Sequence, residues 1–409
     1  MLNAIWVGFI LTAFIMAVVK ALFFNQPEVF VQIMHATFDM SKTGFEIALG
    51  LVGVMTLWLG VLKIGEKGGF LELLTRLLTP LFRRLMPEVP ANHPALGSIV
   101  MNMSANMLGL DNAATPIGLK AMKELQSLNP NPEVATNAQI LFLVLNASSV
   151  TLLPITIFVY RAQQGAVDPT DVFIPILIAT FASTMAGLLV TSMIQRIRLW
   201  DPVVLGYLGV ITAAVGGLAA YFANLPAAEM QRQSAIFSNF VLFFLIVAFI
   251  VGAVWKRVDV FDAFIEGAKE GFGIAIKIIP YLVAMLVAIG MLRASGALDL
   301  ALDGIRGLVR MAGLDDRFVN ALPTALVKPL SGSGARAMMV ETMKTYGADS
   351  FSGRLASIIQ GSTETTFYVL AVYFGAVGIR KSRHAVSCAL IADLAGVVAA
   401  IGVCYWFFG

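Results

Sequence analysis

Charge is scarce in this 409-residue chain. Asp, Glu, Lys and Arg make up 13% of it, hydrophobic residues make up 58%, and mean hydropathy is +0.83. Soluble domains carry about a quarter charged residues, so a soluble fold is excluded. A net charge of only +3 argues against a nucleic-acid partner. Cysteine is almost missing: Cys388 and Cys404 both fall in the last apolar run, where they read as small core residues and form no disulfide framework. The three histidines, His35, His93 and His384, are scattered without ligand spacing, so no metal site is expected. There is no Gly-rich nucleotide loop and no polar domain, which removes the marks of a pump driven by ATP. The first apolar run has neither a basic leader nor an Ala-x-Ala exit, and is expected to be a retained span.

Long apolar runs are what the chain does have. Stretches such as 4–19, 203–221, 240–254 and 281–292 are nearly free of charge, so an all-α polytopic membrane protein follows. An internal duplication organises them. "KTGFEIA" at 42–48 matches "KEGFGIA" at 269–275, and at the same offset "GFL" at 69–71 meets "GAL" at 296–298. "AFIMAVVK" at 13–20 resembles "AFIVGAVWK" at 248–256, and "LKAMKEL" at 119–125 meets "VETMKTY" at 340–346. The domain organisation is therefore a first repeat over 1–198, a linker with its own transmembrane helix over 199–234, and a second repeat over 235–409.

Each repeat reads as two spans, an amphipathic helix, a polar Gly/Asn-rich segment and two further spans. Four crossings plus one linker span make an odd number, which inverts the second repeat relative to the first. The count requires residues 95–122 and 320–339 to be re-entrant hairpins facing inward, because irregular backbone at membrane depth must be covered by protein or a water-filled cavity. On this topology Lys and Arg are more frequent on the side of the N-terminus, which predicts a cytoplasmic N-terminus. The amphipathic stretches 68–86 and 296–312 are expected to be interfacial helices.

Charged side chains near the bilayer centre cost roughly 2.5–3.5 kcal/mol, so those present call for a pathway. In "VKPLSGSGARAMM", Lys328 and Arg336 bracket a turn where Ser331 and Ser333 suit a helix start, a favourable place for an anionic group. Arg336 could instead serve as a strut to Glu364 or Glu341. The first hairpin offers Asn102, Ser104, Asn106, Asp111, Asn112 and Thr115, which suit sugars, bases or dehydrated alkali cations. Two spans are interrupted by polar residues: Asn146, Ser148, Ser149 and Thr151 before Pro154 in one, and Gln360, Ser362, Thr363, Glu364 and Thr365 in the other. Ser and Thr refill backbone bonds at such breaks, while Glu364 can bind Na+ or a proton or accept from a substrate hydroxyl. A Ser331/Lys328 nucleophile and base pair is interrupted by Pro329 and has no oriented partner, so no catalytic residue is assigned.

The hairpin sequence "NMSANMLGLDNAATPIGLKAMKELQ" resembles spore-maturation protein A, and the stretch from "KPLSGSGARAMM" to "ALIADLAG" resembles spore-maturation protein B. The chain thus resembles the two fused end to end, within the nucleoside-recognition or gate family. That family is similar to hairpin-containing parts of concentrative nucleoside transporters. Gln360, Thr363 and Glu364 resemble a nucleoside-contacting cluster there, with altered spacing. The resemblance implies a secondary transporter for a small polar or anionic metabolite, coupled to Na+ or H+, with no other cofactor. It also implies a homo-oligomer in the lipid bilayer. The alternative is a membrane assembly factor that moves nothing and uses its polar groups only for helix packing.

Overall fold

The computed structural model describes residues 2–149 and 151–409, except for the side chains of residues 2, 111–113, 227, 228 and 275. No strand occurs among the described residues, only an isolated bridge between Val134 and Lys381. Elements follow one another in the same order twice. First come α1 (Leu2–Phe23), α2 (Val29–Lys67), α3 (Phe70–Leu85), the paired α4 (Pro94–Met107) and α5 (Asp111–Ser127), the interrupted α6 (Asn137–Ala147) and α7 (Ile155–Gln163), and α8 (Phe173–Gln195). After α9 (Pro202–Ala223) come α10 (Ala227–Trp255), α11 (Val260–Ala294) and α12 (Ala297–Met311). A short turn of 3-10 helix and α13 (Leu322–Val327) then pair with α14 (Gly332–Tyr346), followed by the interrupted α15 (Phe351–Ser362) and α16 (Thr366–Gly375), and by α17 (Ala385–Phe408).

Seven of the described helices are long and apolar enough to cross a membrane: α1, α2 and α8, then α9, then α10, α11 and α17. The protein is a polytopic membrane protein. The outward faces are apolar because lipid is the solvent there; Phe14, Ile15, Phe243 and Val398 are all more than half exposed.

Equivalent helices of the two halves meet in opposite directions. Along α2 and α11, Gly44 lies against Val283, Gly271 against the Met55 carbonyl and Gly267 against the Leu59 carbonyl. Residue numbers rise on one helix as they fall on the other, so the pair is antiparallel. Glycine at these places lets the backbones approach, which substitutes in lipid for a hydrophobic driving force between helices. The same holds for α8 and α17, where Ser183 donates to the Ala392 carbonyl at 2.9 Å and Gln195 meets His384 at 3.0 Å. Each half also reaches into the other at one end. Gly69 and Gly296, both in left-handed conformations before α3 and α12, lie under Lys256 and Lys20 respectively.

One buried guanidinium joins loops of the two halves. Arg161 is 0% exposed. It donates to Asp171 at 2.8 Å, Asp349 at 3.1 Å and the Ala348 carbonyl at 2.8 Å, so it holds a loop of the first half onto a loop of the second. Arg354 completes the cluster on Asp171 at 2.7 Å. Removing one partner of such a buried group strands the others. Arg161→Ala is expected to destabilise the protein by about 3–5 kcal/mol, seen as a lower melting temperature in detergent. An unchanged melt would show that the halves are not joined there.

Candidate functional site

The two interrupted helices meet at the centre of the molecule, and the backbone shows why they can stop there. Helix α6 ends at Ala147, with Ser149 in a left-handed conformation (φ 55°), and α7 restarts after Pro154. Helix α15 ends at Ser362, and Thr363 runs extended. Each break is stitched to the turn of its own hairpin: Leu152 N donates to the Met107 carbonyl at 3.0 Å, and Phe367 N donates to the Pro329 carbonyl at 3.0 Å. The breaks are also joined to each other, Glu364 N donating to the Ala147 carbonyl at 2.8 Å. Two glycines make the approach possible. A side chain at Gly109 (φ 71°) would meet the Leu153 carbonyl at 2.9 Å, and one at Gly332 would meet Thr365 Oγ1 at 2.7 Å.

Between the breaks and the hairpin turns lies a cavity of about 250 Å³. Its polar lining divides by half. The first half supplies Asn106, Thr115, Asn146, Ser149 and Thr151, all neutral; the second supplies Lys328, Arg336, Gln360 and Glu364. Side chains on the neutral wall hold one another: Asn106 donates to Asn146 Oδ1 at 2.9 Å, Asn146 donates to the Phe142 carbonyl, and Tyr373 donates to Asn146 Oδ1 at 3.4 Å. On the charged wall, Lys328 is buried and its Nζ donates to the Gln360 carbonyl at 3.0 Å, closing a carbonyl left free near the end of α15. Arg336 lies within hydrogen-bonding reach of the buried Tyr160 hydroxyl. Glu341 accepts from Arg293 at 3.0 Å. Glu364 is exposed into the cavity while its neighbours Thr363 and Thr365 are buried.

Other residues singled out in the sequence stand behind the lining. Asn102 supports it, donating to the Ala114 carbonyl at 2.7 Å and accepting from Asn106 at 3.4 Å. Ser104 donates back to the Val100 carbonyl within its own helix. Ser331 caps α14 by accepting from Gly334 N at 3.0 Å, with Ser333 at 3.3 Å from its hydroxyl. Ser148 and Ser362 donate to carbonyls three residues earlier, and Thr363 and Thr365 pack against Gly396 and Gly332. None of these serines and threonines lines the cavity: the hydroxyls of Ser148, Ser331 and Ser362 bond nearby backbone, and Thr363 packs through its methyl group. The side chains of Asp111 and Asn112 lie outside the described residues; their backbone opens α5. Sequence reasoning passed over Tyr368 and Tyr373, which also line the cavity and carry no distinguishing pattern. It also passed over Asp393, whose position as a lone acid in an apolar span was a legible signal.

The Gate family, described as nucleoside recognition, matches residues 48–163 and 275–380, one stretch in each half. Spore maturation protein B of Bacillus subtilis (strain 168) is 51% identical over 154 residues, covering 38% of this chain and 85% of that protein. Spore maturation protein A of the same organism is 35% identical over 190 residues, covering 46% of this chain and 93% of that protein. The pair is consistent with a fusion of an A-like and a B-like unit.

A water-filled cavity can be tested by thiol labelling, because the native Cys388 and Cys404 are both 0% exposed and should stay silent. Asn106→Cys, Thr151→Cys and Tyr368→Cys are expected to react with a water-soluble maleimide. Ser331→Cys and Ser362→Cys are expected to react far more slowly, and the reverse order would mean that the cavity is closed to water.

Proposed function

Because the chain belongs to the Gate nucleoside-recognition family and crosses the membrane several times, we propose that it is a secondary transporter of a small polar or anionic metabolite. The observation that carries this reading is the cavity where two interrupted helices and two hairpin turns converge. Non-helical backbone at membrane depth is tolerated where it lines a cavity, and transporters place their substrates at such points. The antiparallel packing of α2 with α11 and of α8 with α17 supports an inverted repeat, with α4/α5 and α13/α14 as re-entrant gates. Leu73, Leu77, Leu300 and Leu308, exposed on α3 and α12, support an interfacial placement of those helices.

The chemistry of the walls supports a particular cargo class. Lys328 and Arg336, with the N-terminus of α14, suit a carboxylate or another anionic group. Asn106, Asn146 and Gln360 suit hydroxyl, amide or base edges on the same molecule. At about 250 Å³ the space is at or below the small end of ligand pockets, roughly 300–1,000 Å³. A nucleoside-like compound, an amino acid or a carboxylate fits these limits, moved by alternating access with Na+ or H+ coupling. The bacterial cytoplasmic membrane and a cytoplasmic N-terminus go with this reading, as does self-association through lipid-facing helices.

A second reading has support in the names of the relatives: a membrane factor in spore maturation that moves no solute. The exposure of Glu364 into the cavity favours the first. The test is full-length protein in liposomes, offered labelled nucleosides, amino acids and dicarboxylates under a Na+ or pH gradient. At least one class should accumulate and raise the melting temperature. Glu364→Gln should lower the rate at least about tenfold with insertion unchanged, as expected for an acid in a transport path. Neither flux nor thermal stabilisation by any class would give the protein to the assembly reading.

A further inference from the structure

One buried acid has no part in the site described so far. Asp393 is the only acidic residue of α17, lies near its middle and is 5% exposed. It stands outside the cavity lining. Thr366, at the start of α16, donates to its Oδ2 at 2.6 Å, and its Oδ1 is buried without a hydrogen-bond partner among the described residues. Two further oxygens of the adjoining break, Gln360 Oε1 and Thr363 Oγ1, are buried and equally unpartnered. Thr363 lies against α17 at Gly396, one turn beyond Asp393.

The charged groups that face Asp393 are Lys328, at the end of α13, and Glu364 in the break. Helices α6, α8 and α16 carry no charged residue, and the Tyr373 hydroxyl of α16 is spent on Asn146. The charges of α15 and α10 belong to the other end of α17: Arg354 lies over the Phe408 ring at 4.6 Å, and Glu229 and Arg232 flank Gln231, which binds the Phe407 carbonyl.

The first half shows what packing alone requires at this place. "LIAT" at 177–180 corresponds to "LIAD" at 390–393. Both helices use the last residue of the motif to hold the interrupted helix of their own half, Thr180 donating to the Ser149 carbonyl and Asp393 accepting from Thr366. A neutral hydroxyl is enough to make the join in the first half. The carboxylate in the second adds a group whose charge can be gained and lost, at a depth where an uncompensated charge costs several kcal/mol.

The geometry points to Asp393 as the proton-binding carboxyl of this protein. A proton taken from cavity water adds to Oδ1 while Oδ2 keeps its bond from Thr366, and the new O–H becomes a donor in a layer whose free oxygens, Thr363 Oγ1 and Gln360 Oε1, are acceptors. Its purpose, coupling a proton to solute movement, rests on the transport reading; proton binding itself does not.

Infrared spectroscopy of the full-length protein in liposomes tests it without flux. The C=O stretch of a protonated carboxyl should grow on acidification in the wild type and be lost in Asp393→Asn. Asp393→Thr, which copies the first half, carries the test if the Asn variant fails to fold. No such band in the wild type, or a band kept in both variants, overturns the inference. So does a band that appears only when sodium is withdrawn, since the site would then belong to sodium. In flux assays Asp393→Asn should keep solute exchange and lose at least about tenfold of the accumulation driven by a pH gradient, the pattern of a coupling acid in a membrane pathway. Unchanged accumulation overturns the coupling role. A band lost in the variant with no solute moved by the wild type leaves the proton site standing and removes the transport reading.

Discussion

Everything at the centre of this protein depends on what happens to backbone N–H and C=O groups when a helix stops inside a membrane. Each one left unpaired in hydrocarbon costs several kcal/mol, more than side-chain packing returns. Here the groups are paired across segments: Leu152 to Met107, Phe367 to Pro329, and Glu364 to Ala147. Those bonds make the hairpin turns and the breaks a single unit, and glycine at 109 and 332 is the steric condition for it. With the backbone satisfied in this way, side chains such as Glu364 and Asn106 need not cap helix ends and can face open space.

The ionic groups sort by the same logic. Where two halves must be held together at a loop, as at Arg161, each guanidinium nitrogen has a carboxylate or carbonyl within reach. Such a cluster fixes geometry more than it adds net stability, because desolvation offsets much of the attraction. At the cavity, by contrast, cations and a carboxylate are brought to one surface from α13, α14 and the second break, with neutral amides opposite. A polar solute placed there would complete interactions on both walls, and no single segment presents more than part of the set.

Much of this was legible in the sequence, for physical reasons that can be named. Apolar runs over 203–221 and 281–292 announced α9 and the latter part of α11, because only helices satisfy their own backbone in lipid. The polar runs around 146 and 360 announced interruptions, and both fall where helices end. Direction was harder to read. Ser148, Ser331 and Ser362 have the composition of a binding site, yet their hydroxyls turn back onto nearby backbone, a local bond that composition does not distinguish from an outward one. Tyr160 and Tyr373 enter the centre through tertiary packing alone. Asp393 could have been found by the rule that made Glu364 conspicuous, since a lone acid in a long apolar span is as costly as one in a short polar break.

Helix α9 has only Val204 and Phe222 buried, one near each end, and touches α3 through the Tyr207 hydroxyl on the Leu77 carbonyl. It packs little and contributes no residue to the central cavity, so its weight falls on connectivity. The two relatives are separate chains, each matching less than half of this one. A strap between the units turns their encounter into an intramolecular event, for which effective concentrations reach roughly the millimolar range. It also sets their ratio at one to one, so that neither unit is made without the other.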